Sequence, residues 1–193
     1  MDWVDVCNMA LDRLGEDPIT SLTDEIKTAE ACNRNYEQAR DEVLQAWNWS
    51  SARSRKDLTA DTTAPVWGWD YRYALPSNPY CLRLISIEKD YKYTLEGRYI
   101  LTDKDDGLNI LYTKRITDPA ELDPFLAKAI ALRLASDICR HIVPSTTLKK
   151  DILAELEIVV LEAKGIGACQ EYNNYENEPS SDTGNAEWIT EGR

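Results

Sequence analysis

The chain has 193 residues and a formal net charge of −12. That charge leaves no basic footprint of the kind that displaces counterions from a phosphate backbone, and it disfavours docking on anionic lipid. Hydrophobic residues make up 43 % of the chain, enough to expect a buried core rather than a disordered polymer.

Residues 2–14 predict a helix, because Trp3, Val6, Cys7, Ala10 and Leu14 fall on one stripe and Gly15 is suited to end it. Ser21-Leu22-Thr23-Asp24 offers a capping-box-like start to a second helix over about residues 24–47. Within it Ala29, Cys32, Tyr36, Ala39, Val43 and Ala46 alternate spacings of three and four, a seam for another helix. From residue 50 to 116 the period changes to two. Trp67, Trp69, Tyr71, Tyr73 and Leu75 alternate with Gly68, Asp70, Arg72 and Ala74, predicting a strand over 67–75 with bulky rings on one face. Residues 82–88, the alternation of Tyr91, Tyr93 and Leu95, residues 99–102, and Leu108, Ile110 and Tyr112 predict further strands. Glu96-Gly97 and Asp105-Asp106-Gly107 read as the hairpin turns of one antiparallel meander. Asp118-Pro119 or Asp123-Pro124 restarts helix, and residues 125–135 are apolar nearly all round, as in a helix central to a bundle or pressed between subunits. After Pro144, Ser145 can cap a last helix carrying Leu148, Ile152, Leu156, Val159 and Ala163, which Gly165 and Gly167 weaken. From Glu171 the composition becomes a polar tail, yet it holds Trp188 and Ile189, apolar residues suited to gripping a partner.

Chemistry-bearing motifs are sparse. His141, the single histidine, sits at a helix end beside Arg140, where a polar face or a C-terminal cap explains it better than a catalytic base. Cys7, Cys32, Cys81, Cys139 and Cys169 form no close pair, so they read as reduced core thiols, and no zinc spacing occurs. Asp103-Lys104-Asp105-Asp106-Gly107 fails as a calcium loop, because Leu108 and Lys114 stand where Gly and Glu would be required. Gly165-Ile166-Gly167 lacks the strand and third glycine of a dinucleotide loop. Asp2 and Asp5 occupy the place of a basic leader segment, and no run of about 18 apolar residues is present. No cofactor or metal is expected. Arg53-Ser54-Arg55-Lys56 follows Trp47 and Trp49, a short basic cluster suited to an acidic surface of a neighbouring copy.

The ordered set of features carries a resemblance. It begins with residues 10–22, Ala-Leu-Asp-Arg-Leu-Gly-Glu-Asp-Pro-Ile-Thr-Ser-Leu, and continues through Ala31-Cys32-Asn33, Tyr36, Arg40-Asp41 and Leu44 to Trp47. Trp67-Gly68-Trp69, Tyr73-Ala74-Leu75-Pro76, Leu82-Arg83-Leu84 and Glu96-Gly97-Arg98 follow, then Leu101-Thr102-Asp103, Tyr112 and Ile116-Thr117-Asp118-Pro119. An Ala/Leu-rich helix and a terminal Trp188-Ile189 with Arg193 complete the series. From about Ala10 to the C-terminus the chain resembles the tail tubular protein A family, the head-to-tail adaptors of short-tailed bacteriophages (podoviruses). It departs at Gly165-Ile166-Gly167, where the family keeps an Ala/Glu-rich helix.

The resemblance implies a structural virion subunit that is not an enzyme. It would form a dodecameric ring between the portal protein and the tail nozzle (tubular protein B-like), line the channel through which double-stranded DNA leaves without specific binding, and serve as a tail-assembly platform, with tail fibres as a further partner. It would be made in the host cytoplasm and located in the virion. The expected fold is α+β, an antiparallel bundle of about four helices (residues 1–49 and 117–170) with one antiparallel β-sheet (50–116) inserted between helices two and three, and an extended tail (171–193). Trp188, Ile189, Tyr172 and Tyr175 are candidate portal contacts. Trp47, Trp49, Arg53, Arg55, Lys56, Trp67 and Trp69 are candidate subunit or partner contacts. One alternative is a hydrolase of envelope polysaccharide or peptidoglycan, for which no catalytic motif is recognisable. A second is a single-strand nucleic-acid module using Trp47, Trp49 and the Arg53 cluster.

Overall fold

Three of the four α-helices of the described residues begin where a side chain satisfies their first backbone donors. In the computed structural model, which describes residues 1–88 and 91–175 (168–175 by backbone alone), α1 spans Trp3–Leu14. Asp2 and Asp5 cap it reciprocally: the Asp5 N–H donates to Asp2 at 2.8 Å and the Asp2 N–H to Asp5 at 2.7 Å. Gly15 ends it at φ +72°, a left-handed conformation that costs glycine nothing. The next helix, α2 (Lys27–Ala46), starts later than the sequence pattern predicts. The Asp24 carboxylate accepts the N–H groups of Thr20 and Ser21, both at 3.0 Å, and so closes a loop instead of capping a helix. Asp123 caps α3 (Pro124–Ile142) through the Leu126 N–H at 2.9 Å. Ser145 accepts the Leu148 N–H at 3.2 Å at the start of α4 (Thr146–Tyr175), which continues through Gly165 and Gly167.

These are the four helices of the described residues, and α3 is their centre, packing against α1, α2 and α4. Ala129, Ile130, Leu134, Ala135 and Ile138 are buried to within 1 %. The α2 seam of Ala29, Cys32, Ala39 and Val43 lies in the same core. The two apolar surfaces that could have served contacts between copies are therefore consumed internally, each large aliphatic contributing on the order of 1.5–3 kcal/mol.

The strands overturn the expected fold class of a single sheet inserted between helices two and three. β1 (Arg53–Leu58), β2 (Tyr71–Ala74), β3 (Cys81–Ile87), β4 (Thr94–Glu96), β5 (Tyr99–Thr102) and β6 (Leu108–Lys114) form two separate three-stranded antiparallel sheets, ordered β1-β6-β3 and β2-β5-β4. The physical cause is the turn at Asp105-Asp106-Gly107. It reads as a hairpin, yet β5 pairs with β2 and β4 while β6 pairs with β1 and β3, so the chain changes sheet there. Lys104 holds the crossing: its ammonium reaches Glu88 at 2.7 Å and the carbonyls of Asp106 and Gly107, and its own carbonyl accepts the Tyr73 hydroxyl at 2.6 Å. The predicted 67–75 strand is likewise cut down to β2, because Gly68 at φ +86° breaks the extended run.

Residues of both sheets share one small core of Leu58, Tyr73, Cys81, Ile100, Leu108, Ile110 and Tyr112, distinct from the helical core. The two cores meet at a chain of charges and rings. Arg40, 4 % exposed, lies 5.6 Å over the Trp3 ring and pairs with Asp41 at 2.9 Å. Asp41 also holds Arg115 at 2.6 Å. The Tyr80 ring has Arg115 at 4.4 Å and Arg98 at 4.0 Å, and Arg98 donates to the carbonyls of Cys81 and Pro76. Leu82 of β3 packs into the helical core beside this chain.

Candidate functional site

The sequence between β1 and β2 builds a projecting loop with fixed ends. At one end Asp61 accepts Arg72 Nε at 3.0 Å while its own N–H donates to the Arg72 carbonyl at 2.8 Å. The backbone N–H of Thr63, and after it the Arg72 guanidinium, hold the Asp61 carboxyl below its ordinary range. At the other end the Asp70 N–H donates to Asp103 at 3.2 Å. Between these anchors Val66 is 99 % and Trp67 86 % exposed. Trp69 is half-buried behind them. Pro65, Trp67, Trp69, Arg72 and Tyr99 line a cleft of about 390 Å³, in which the Arg72 guanidinium sits 4.7 Å over the Tyr99 ring. Two large apolar side chains at the tip of a pinned loop form a surface suited to burial against protein. Trp67 and Trp69 both line this cleft, but from a loop and not from the strand the alternation predicted, and Val66, a residue outside the period-two pattern, is exposed beside Trp67.

The other predicted surface residues separate. Trp49 is 4 % exposed, and its indole N–H donates to the Val43 carbonyl at 2.8 Å, so its ring belongs to the helical core and not to a contact surface. Trp47 ends α2 half-buried, with the Lys164 ammonium 4.4 Å over its ring. It shares a cleft of about 440 Å³ with Asn48, Arg53, Phe125 and Ile166. Arg53, Arg55 and Lys56 lie on β1, an edge strand paired only with β6. The pleat sends Arg53 and Arg55 to one side and Lys56 to the other, so no single basic face results. Charges on an edge strand also discourage edge-to-edge pairing, a sufficient structural reason for them.

A surface missed in the sequence lies on α4. Ile152, Leu156, Val159 and Ala163 follow spacings of four, three and four and face the helical core. Ala154, Ile158, Leu161 and Gly165 repeat the same spacings two residues on, about 200° around the helix. All four are exposed, Ile158 by 56 % and Leu161 by 63 %, with Ile166 at 45 % beside them. The signal was present as a second register, hidden because the inner one already accounted for a helix.

Cys7 and Cys32 are buried together; their mutual hydrogen bond, and then desolvation, push the Cys7 thiol up, and the same hydrogen bond pulls the Cys32 thiol down. His141 is exposed in the last turn of α3. Among the described residues no group of three or more His, Cys, Asp or Glu side chains is placed to hold a metal ion, and no helix is long and apolar enough to cross a membrane. Trp188 and Ile189 lie outside the described residues, as do the side chains of Tyr172, Tyr175 and Cys169. No protein-family model matches this chain, and no curated protein matches it.

Proposed function

We infer that this chain is a structural subunit, a head-to-tail adaptor of a short-tailed bacteriophage that assembles as a ring between portal and nozzle. The observation that carries this reading is that separate apolar surfaces stand uncovered among the described residues of one small acidic protein: Val66 and Trp67 on the loop before β2, and Ile158, Leu161 and Ile166 on α4, with Ile26, Tyr91, Tyr93 and Leu95 exposed elsewhere. A ring of identical subunits joins one face of each copy to a different face of the next, and an adaptor also meets the proteins above and below it, so each copy needs several unlike adhesive surfaces. The ordered set of residues shared with the tail tubular protein A family supports the same assignment. The net charge of −12, repeated around a ring, would repel DNA phosphate and let the duplex slide instead of sticking. In this reading Trp188 and Ile189 grip the portal and the Trp67 loop meets a neighbouring protein.

The test is direct mixing. Purified full-length chain is combined with its cognate portal protein and viewed by electron microscopy. A ring of density stacked on one end of the portal is expected, and its loss when Trp188→Ala and Ile189→Ala are combined. A portal that stays bare at high protein concentration overturns the assignment.

A further inference from the structure

The exposed seam of α4 lacks a mate on its own chain. Ile158 and Leu161 project beside Gly165, and a Cβ placed at Gly165 would meet nothing within 4 Å. A mid-helix glycine costs about 1 kcal/mol relative to alanine, and no internal packing requires it here. Another backbone can therefore approach closely at that point. Glu157 and Glu162 flank the seam, both exposed and without a cationic partner among the described residues. They set the sign of the occupant. Two copies of the seam facing each other would bring like charges together. The chain's own residues 176–193, with Glu176, Glu178, Asp182, Glu187 and Glu191 against Arg193, carry the same sign and are repelled as well.

A surface of the opposite sign exists at the other end of the same helix. Pro144 and Leu153 floor a largely apolar groove of about 380 Å³, and Arg140, Lys149 and Lys150 rim it. Arg140 and Lys150 are exposed with no acidic partner among the described residues. It is a basic, apolar-floored groove on an acidic protein, and it complements the acid-flanked apolar seam in both charge and hydrophobicity.

We propose that the Ile158–Leu161 seam of one copy seats in the Arg140–Leu153 groove of the next, with Glu157 and Glu162 meeting Arg140 and Lys150. The contact is heterologous, because seam and groove are different surfaces, and it propagates from copy to copy. It rests on the ring-forming reading above and names the surfaces that would close the ring. Two apolar knobs and one groove fall short of the roughly 800 Å² per partner of a stable pair. Association therefore requires high protein concentration or a template.

The test uses two full-length charge-reversed variants. One carries E157K with E162K; the other carries R140E with K150E. All four positions are solvent-exposed, so both variants should fold, which circular dichroism checks. In analytical ultracentrifugation at high concentration the wild type is expected to self-associate, and each variant alone to do so at least about tenfold more weakly. An equimolar mixture of the two should recover association, because each reversed seam then faces a reversed groove and each native seam a native one. Zero-length carbodiimide coupling of mixed ¹⁴N and ¹⁵N wild-type protein should join Glu157 or Glu162 to Lys149 or Lys150 between isotopically different copies. Wild-type protein that remains monomeric and uncoupled, variants that associate like wild type, or a mixture that recovers nothing each overturn the proposal. Portal attachment is scored separately. Rings that form on the portal from either variant alone sink the seam and spare the adaptor assignment, whereas seam-dependent association without portal binding does the reverse.

Discussion

Trp49 and Trp67 are the same residue type put to opposite uses. The Trp49 ring is 4 % exposed and its N–H is satisfied by the Val43 carbonyl, whereas Trp67 is 86 % exposed. Trp49→Ala should therefore cost about 3–5 kcal/mol of stability. Trp67→Ala should stay within about 0.5 kcal/mol while weakening any partner that buries the ring. Urea denaturation of the two variants separates these outcomes. Asp137 makes a second prediction. Desolvation raises its carboxyl above the ordinary aspartate value, against the pull of the Arg133 guanidinium at 3.2 Å. The folded state thus holds this proton more tightly than the unfolded state, so the group removes stability as pH rises through the interval between the two values. Asp137→Asn should flatten that part of the profile, read as the urea midpoint against pH in the mildly acidic range. A wild-type midpoint that climbs more steeply than the variant's across that interval would contradict it.

Elements differ in how their glycines are used. Gly107 sits at φ +69° in the crossing between sheets, and a Cβ there would meet the Asp57 carboxylate at 3.1 Å. Gly107→Ala should destabilise by more than about 1 kcal/mol, since both conformation and space oppose it. Gly165 is helical with open space around it, so Gly165→Ala should stabilise α4 by about 1 kcal/mol. Thermal unfolding of the pair should move in opposite directions. The same contrast explains why β2 is shorter than its alternation suggests. Period two marks which side chains could share a face, but Gly68 and the Asp70–Asp103 contact turn the first part of the run into a loop.

At the scale of the molecule, the helical core and the smaller β core are joined through Asp41, Arg115 and the Tyr80 ring. Arg115→Met keeps the aliphatic stem and removes the cation. It should cost about 1–2 kcal/mol, between an exposed and a buried pair, and loosen the coupling of the two cores. Denaturation followed at tryptophan and by far-ultraviolet circular dichroism should then give two transitions where the wild type gives one. Coincident transitions in the variant would show that other contacts suffice.

The amino-acid order by itself determined the helices and several of their ends. Gly15, Asp123 and Ser145 act within one turn of where they stand, and a helix closes its hydrogen bonds locally, whereas the cap expected at Ser21–Asp24 closes a loop instead. Whether a metal-loop or nucleotide-loop spacing occurs is likewise a property of the order alone, because such loops demand fixed local spacing. Strand pairing was not: β5 and β6 are neighbours in the chain and strangers in the sheets, a choice set by long-range contacts such as Lys104 with Glu88. Nor was exposure. Spacing named an apolar stripe on α2, α3 and α4 alike, and the packing of the helices on one another spends all three inside; only that packing decided that a second stripe on α4, with Ile158 and Leu161, stays uncovered.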